Sequence, residues 1–66
     1  MILNNEQKVV YTAILNLFED NFNIKALYAA VNKPKSSVRR IMGELVKLGL
    51  VKHGEKLGDY QRTTSQ

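Results

Sequence analysis

The chain has no cysteine, no tryptophan, one proline and one histidine in 66 residues. Without thiols no disulfide can staple the fold, and the lone His53 leaves a structural zinc without its usual ligand set. The same lack of thiols suits a reducing compartment. No apolar run approaches the roughly 18 residues that cross a bilayer. The start, MILNNEQ, has neither the basic segment nor the apolar core of a secretory signal. These absences predict a cytoplasmic protein with no metal, no cofactor and no membrane contact. They also argue against an enzyme. There is no phosphate-binding glycine loop and no plausible nucleophile–base pair. Glu19-Asp20 is an isolated acidic pair at a helix end, with no second acid that the sequence identifies as its partner.

What is present is a short chain with its charge on one side. At 66 residues a single domain spanning 1–66 is expected. Such a domain buries only about 60% of the surface that its unfolded chain exposes. With disulfides and zinc set aside, a partner chain remains an option for stabilising it. The net charge is +4. Residues 1–32 carry Lys8 and Lys25 against Glu6, Glu19 and Asp20, a net of −1. Residues 33–66 carry eight Lys or Arg against Glu44, Glu55 and Asp59, a net of +5. A basic half points to a polyanion, and its alternative is a solvated basic surface.

Apolar periodicity divides the chain into three helices. Asn4 and Gln7 have the spacing of a capping box, so the first helix is expected over about 5–20. It places Val10, Ala13, Ile14, Leu17 and Phe18 on one face. Asn23 can cap a second helix over about 24–31, with Ile24, Leu27 and Val31 as its seam and Ala26 and Ala30 permitting close packing. Phe22-Asn23-Ile24 also suits a brief extended segment before that helix. Asn32 tolerates a left-handed helix end, and Pro34 stops the second helix and suits the first turn of the next. Two helices joined by so short a turn have the spacing of a helix-turn-helix. The third helix is expected over about 35–48, ending at Gly49. Val38, Ile41, Met42, Leu45 and Leu48 form its core face. The segment around GEKLG reads as a β-hairpin over about 50–63, and TTSQ as a frayed tail. The expected fold is mainly α with a small β-hairpin.

The outward face of the third helix carries Ser36, Arg40, Gly43 and Lys47, flanked by Ser37 and Arg39. A helix fits the DNA major groove with its N-terminal residues near base edges. Arginine can bond guanine bidentately, and serine can bond a base or a phosphate. Lysines at the rim neutralise backbone charge and release counterions. One of Ser36 and Ser37 is expected to cap the helix and the other to contact DNA. Gly43 costs roughly 1 kcal/mol relative to alanine in a helix interior. It either lets the helix backbone approach DNA closely or is drift at an exposed position. Lys25, in the first turn of the second helix, is either a phosphate contact or a solubilising charge. Tyr28 on the same helix could bond a phosphate or cover a partner.

The stretch ALYAAVNKPKSSVRRIMGELVKLGLVKH resembles the core of winged helix-turn-helix DNA-binding domains, as in MarR-like and IclR-like bacterial regulators. Leu27 matches the second-helix leucine. Lys35-Ser36-Ser37-Val38 matches the opening of the recognition helix, and Leu45 to Val51 its end and the entry to the wing. The resemblance covers roughly Asn5 to Thr63. It implies a three-helix winged helix-turn-helix that binds double-stranded DNA, a transcriptional regulator in a bacterial, archaeal, phage or plasmid setting. Carried over by position, Lys35, Ser36, Ser37, Arg39 and Arg40 become DNA contacts, and Lys52, His53, Lys56 and Arg62 become wing or phosphate contacts. Asn32 departs from the commoner turn glycine. Arg62 stands where many wings place an apolar residue after an inward aromatic, here Tyr60, which leaves the register of the last strand open. The alternatives are a winged helix that binds protein, and a non-specific architectural DNA binder. Excess apolar residues on and before the first helix, Ile2, Leu3, Tyr11 and Leu15, suggest a homodimer interface; otherwise they widen the core.

Overall fold

The computed structural model describes residues 2–63. The chain runs α1 (Asn5–Leu17), β1 (Asn21–Asn23), α2 (Ile24–Ala30), α3 (Lys35–Lys47), β2 (Val51–His53) and β3 (Asp59–Arg62). It is thus mainly helical with a small antiparallel sheet. Among the described residues no helix is long and apolar enough to cross a membrane.

The helix starts follow local chemistry. Asn4 accepts from the backbone N–H of Gln7, and the Gln7 side chain accepts from that of Asn4, closing the expected capping box. The Asn23 side chain accepts from Lys25 N at 2.9 Å and caps α2. At α3 the expectation fails. Pro34 holds the cap position without a side-chain bond, so neither Ser36 nor Ser37 caps the helix. Both serines fall inside its first turn, too late to serve as caps.

Three further expectations are corrected. Helix α1 ends at Leu17, three residues early, because Phe18 is extended (φ −127°, ψ 148°) and leads into β1. Its ring turns inward and stacks on Phe22, centroids 4.9 Å apart, while Leu17 is left 58% exposed. Asn32 is not left-handed, since among the described residues only Gly49 and Gly58 have positive φ. The α2–α3 turn instead forms with Val31 extended and buried, and Lys33 N donates to its carbonyl at 2.9 Å. Ala26 and Ala30 are exposed and mediate no close packing.

Helix α3 ends as its sequence predicts. Gly49 adopts φ 81°, and the N–H groups of Gly49 and Leu50 donate to Val46 and Leu45, a Schellman closure. Leu48 lies at this reversal and is partly exposed, outside the core face assigned to it. Among the described residues eleven apolar ones form the buried core: Val10 and Ile14 from α1, Leu27 and Val31 from α2 and its end, Val38, Ile41, Met42 and Leu45 from α3, and Phe22, Val51 and Tyr60 from the sheet.

The sheet has three strands rather than two, in the order β1-β3-β2. Strand β1 pairs with β3 through Asn21–Gln61, Phe22–Tyr60 and Asn23–Asp59. The β2–β3 hairpin pairs Val51 with Arg62 and His53 with Tyr60, which fixes the register of the last strand. Its turn is tied to the helices as well as to itself. Ile24 N donates to Gly58 O at 2.8 Å, and Asn23 Nδ2 to Asp59 Oδ1 at 2.6 Å. Thr63 is held too, its N–H donating to Leu50 and its hydroxyl to Gly49. It does not belong to a frayed tail; the rest of TTSQ lies outside the described residues.

Candidate nucleic-acid interface

Core packing of Val38, Ile41, Met42 and Leu45 turns the opposite side of α3 to solvent. Ser36, Gly43 and Lys47 run down the middle of that side and are exposed. Arg39 and Arg40 lie on its two edges and meet different neighbours. Arg39 leans toward α2, where its Nε donates to the Tyr28 hydroxyl at 3.1 Å. Arg40 leans toward α1. Its Nη2 donates to Glu6 Oε1 at 3.0 Å and its Nη1 to Glu44 Oε2 at 3.1 Å. Gln7 Nε2 donates to the other oxygen of Glu44 at 2.9 Å. The first arginine edge is therefore free of carboxylates in its hydrogen bonds, and the second is held by two.

The Arg39 edge borders a groove of about 540 Å³ between α2 and the hairpin. Its walls include Ile24, Lys25, Tyr28, Arg39, Leu57 and Tyr60. Lys35 places its ammonium 5.6 Å from the centre of the Tyr28 ring. Three cations from two helices, Lys25, Lys35 and Arg39, thus gather around one tyrosine. Burial pushes the Tyr60 phenol up, Tyr28 adds to this, and Arg39 opposes it. The Tyr60 phenol therefore stays a neutral donor near neutral pH. The groove combines apolar walls with hydrogen-bond donors and positive charge, which can hold an anionic group beside a flat or apolar one.

The remaining candidate residues do not join this groove. Lys52 is exposed on the outer face of the sheet, beside Asp20 and Gln61. His53 is exposed on β2 with its ring 5.1 Å from that of Tyr60. Lys56 is exposed in the hairpin turn. Arg62 is half-buried, and its Nη1 donates to the carbonyls of Phe18 at 2.9 Å and Glu19 at 2.8 Å. It closes the end of α1, where backbone acceptors lack helical partners.

The four residues suggested for a dimer also separate. Tyr11 packs against the core and Leu3 is half-buried, whereas Ile2 and Leu15 are 94% and 41% exposed. Val9 and Leu17 add exposed apolar surface to α1.

The sequence offers Tyr28 as a phosphate or partner contact and does not mark Ile24, Leu57 or Tyr60 as parts of a site. One signal for Leu57 was legible: an apolar residue inside a Gly-bounded polar turn has no strand face to bury it. The meeting of Tyr28 with Arg39 and Tyr60 depends on the sheet and had no such signal. Compared with protein-family models, with curated proteins and with solved structures, the chain matches none.

Proposed function

We propose that this chain is a winged helix-turn-helix protein that binds double-stranded DNA as a small transcriptional regulator. In this reading α3 enters the major groove and the β2–β3 hairpin is the wing. The observation that carries it is the cationic edge formed by Lys25, Lys35 and Arg39 beside the exposed Ser36–Gly43–Lys47 strip of α3. A helix presenting Ser36 and Gly43 along its centre, Lys47 at its far end and cations along its edge suits close approach to base edges between two phosphate rows. The uncapped start of α3 adds free N–H groups at the positive end of the helix dipole.

Arg39 is the leading base reader, because only a neutral hydroxyl competes for its Nε. Arg40 joins the interface when DNA phosphate displaces its two carboxylates. Surface ion pairs of this kind are weak enough to exchange. Lys35, Lys47, Lys52 and Lys56 act as phosphate contacts.

Selection of bound sites from a random duplex pool, followed by anisotropy titration at several salt concentrations, tests the reading. Arg39→Ala should cost about 1–3 kcal/mol on the selected site and relax its sequence preference. Lys56→Ala should weaken all sequences alike and lower the salt slope by about 1. Absence of duplex binding at low salt overturns the proposal. A steep salt slope with no enriched sequence marks a non-specific architectural binder instead.

A further inference from the structure

Leu57 is the most exposed large apolar side chain among the described residues, at 103% of its reference exposure. It stands in the turn between β2 and β3, preceded by Lys56 and followed by Gly58. An exposed leucine on a loose loop would mean little. This turn is tightly held. Gly54 N donates to Asp59 O at 2.7 Å, Asp59 N to Lys56 O at 3.0 Å, and Ile24 N to Gly58 O at 2.8 Å. Gly58 takes the left-handed φ of 87° that lets the chain turn there, and a Cβ on Gly54 would stand 2.8 Å from that of Asp59. The turn therefore fixes where Leu57 sits.

Its position relative to charge is the second observation. Leu57 borders the same groove as Lys25 and Arg39, so whatever the cations attract meets the leucine. Glu55, the acid of this turn, lines a different depression with Gly54, Lys56 and Gln61. The occupant must be anionic where it meets Lys25, offer hydrogen-bond acceptors where it meets Arg39, and be apolar where it meets Leu57. Nucleic acid meets these demands, with phosphates outside and base faces and sugar edges within. In a duplex the base faces are sealed by stacking, and a side chain reaches them only by opening a step from the minor groove.

We infer that Leu57 is a minor-groove wedge, which enters a base step beside the site read by α3 and bends the DNA there. This rests on the DNA-binding reading above and adds a deformation to it. The backbone of the described residues extends 30 Å along its longest axis, close to one turn of B-DNA at about 34 Å. One copy can therefore span a major groove and the minor groove next to it. The insertion favours steps that unstack easily, TA and CA/TG. That gives the protein a sequence preference outside the bases touched by α3.

The test uses the full chain and its selected duplex. 2-Aminopurine is placed at successive positions flanking the α3 site, and a donor–acceptor pair at the duplex ends reports bending. The wild-type protein should raise 2-aminopurine emission at one step and bend the duplex within the range of about 20–90° that such wedges produce. Leu57→Ala should keep the thermal stability, bind the α3 site, and lose both signals. Leu57→Met, also long and apolar, should keep both. Failure of the wild-type protein to bind duplex overturns the DNA reading and the wedge with it. Binding to a straight duplex with quenched 2-aminopurine overturns the wedge alone. Equal bending by wild-type and Leu57→Ala also overturns it.

Discussion

Arg62 brings a positive charge to the last strand, yet its guanidinium serves the end of α1. The two hydrogen bonds to Phe18 and Glu19 carbonyls join residues more than forty positions apart. Arg62→Ala should therefore lower stability by about 1–2 kcal/mol, since bonds from a charged donor to otherwise unpaired carbonyls are among the stronger ones. Urea denaturation measures this, and DNA affinity per folded molecule should stay unchanged. Glu44 gives a pH-dependent counterpart. The Gln7 amide holds its carboxyl below the usual glutamate range, desolvation opposes this, and Arg40 reinforces it. A depressed carboxyl contributes stability that is present above the unfolded pKa, about 4.3, and lost as pH falls through the lower folded value. Wild-type protein should thus melt above Glu44→Gln at pH 7, and the gap should close as the pH is taken below 4.3 toward the lower folded value. A gap of constant size would mean that the network contributes through packing rather than charge. Neither role was legible beforehand. A helical projection puts Arg40 on the outward face of α3 and Arg39 at its flank, and only the placement of α1 and α2 gives the two arginines their different partners.

At the scale of elements, Gly43 is the one residue of α3 that weakens the helix without an evident structural need. A Cβ built on it meets no atom within 4 Å. Gly43→Ala should then raise stability by about 0.5–1 kcal/mol and the melting temperature by several degrees. Duplex titration of the same variant decides the role of the position. Weaker binding by the more stable protein marks a close approach of the α3 backbone to DNA, and unchanged binding marks an unused site. Helix α3 itself could be read from the sequence because thirteen residues give periodicity room to show, and because Gly49 is a strong stop. Strand β1 could be named only as a short extended segment. Three residues, Asn21–Asn23, are too few for alternation to register, and their partners lie in β3, 36 to 40 positions further on. The α2–α3 turn was located correctly and its mechanism was not. Asn32 offered a left-handed conformation, but burying Val31 in an extended one achieved the reversal through the core.

The whole molecule is small against what it is proposed to grip. Its extents are 30 × 28 × 20 Å, so one copy covers a single half-site. Charge asymmetry and the helix-turn-helix spacing pointed to the cationic side from sequence, because both are properties of composition and order. The opposite requirement, a surface for a second copy, was harder to assign, because sequence cannot distinguish an apolar residue that widens the core from one left uncovered. Tyr11 belongs to the first kind, and Ile2 and Leu15 to the second. A homodimer through the exposed side of α1 would bury them and leave two copies of α3 to meet half-sites about one turn, or 34–36 Å, apart. Sedimentation equilibrium should accordingly show a dimer for the wild-type chain and a monomer for Leu15→Glu. The site selected by the wild-type protein should be an inverted repeat. On a duplex carrying that repeat, Leu15→Glu should bind more weakly than wild type, and on a single half-site the two should bind alike, because Leu15 is remote in role from the Lys25–Lys35–Arg39 edge. A wild-type chain that stays monomeric at every concentration, or a selected site without symmetry, would show instead that one copy binds alone and that α1 carries its exposed side chains to solvent.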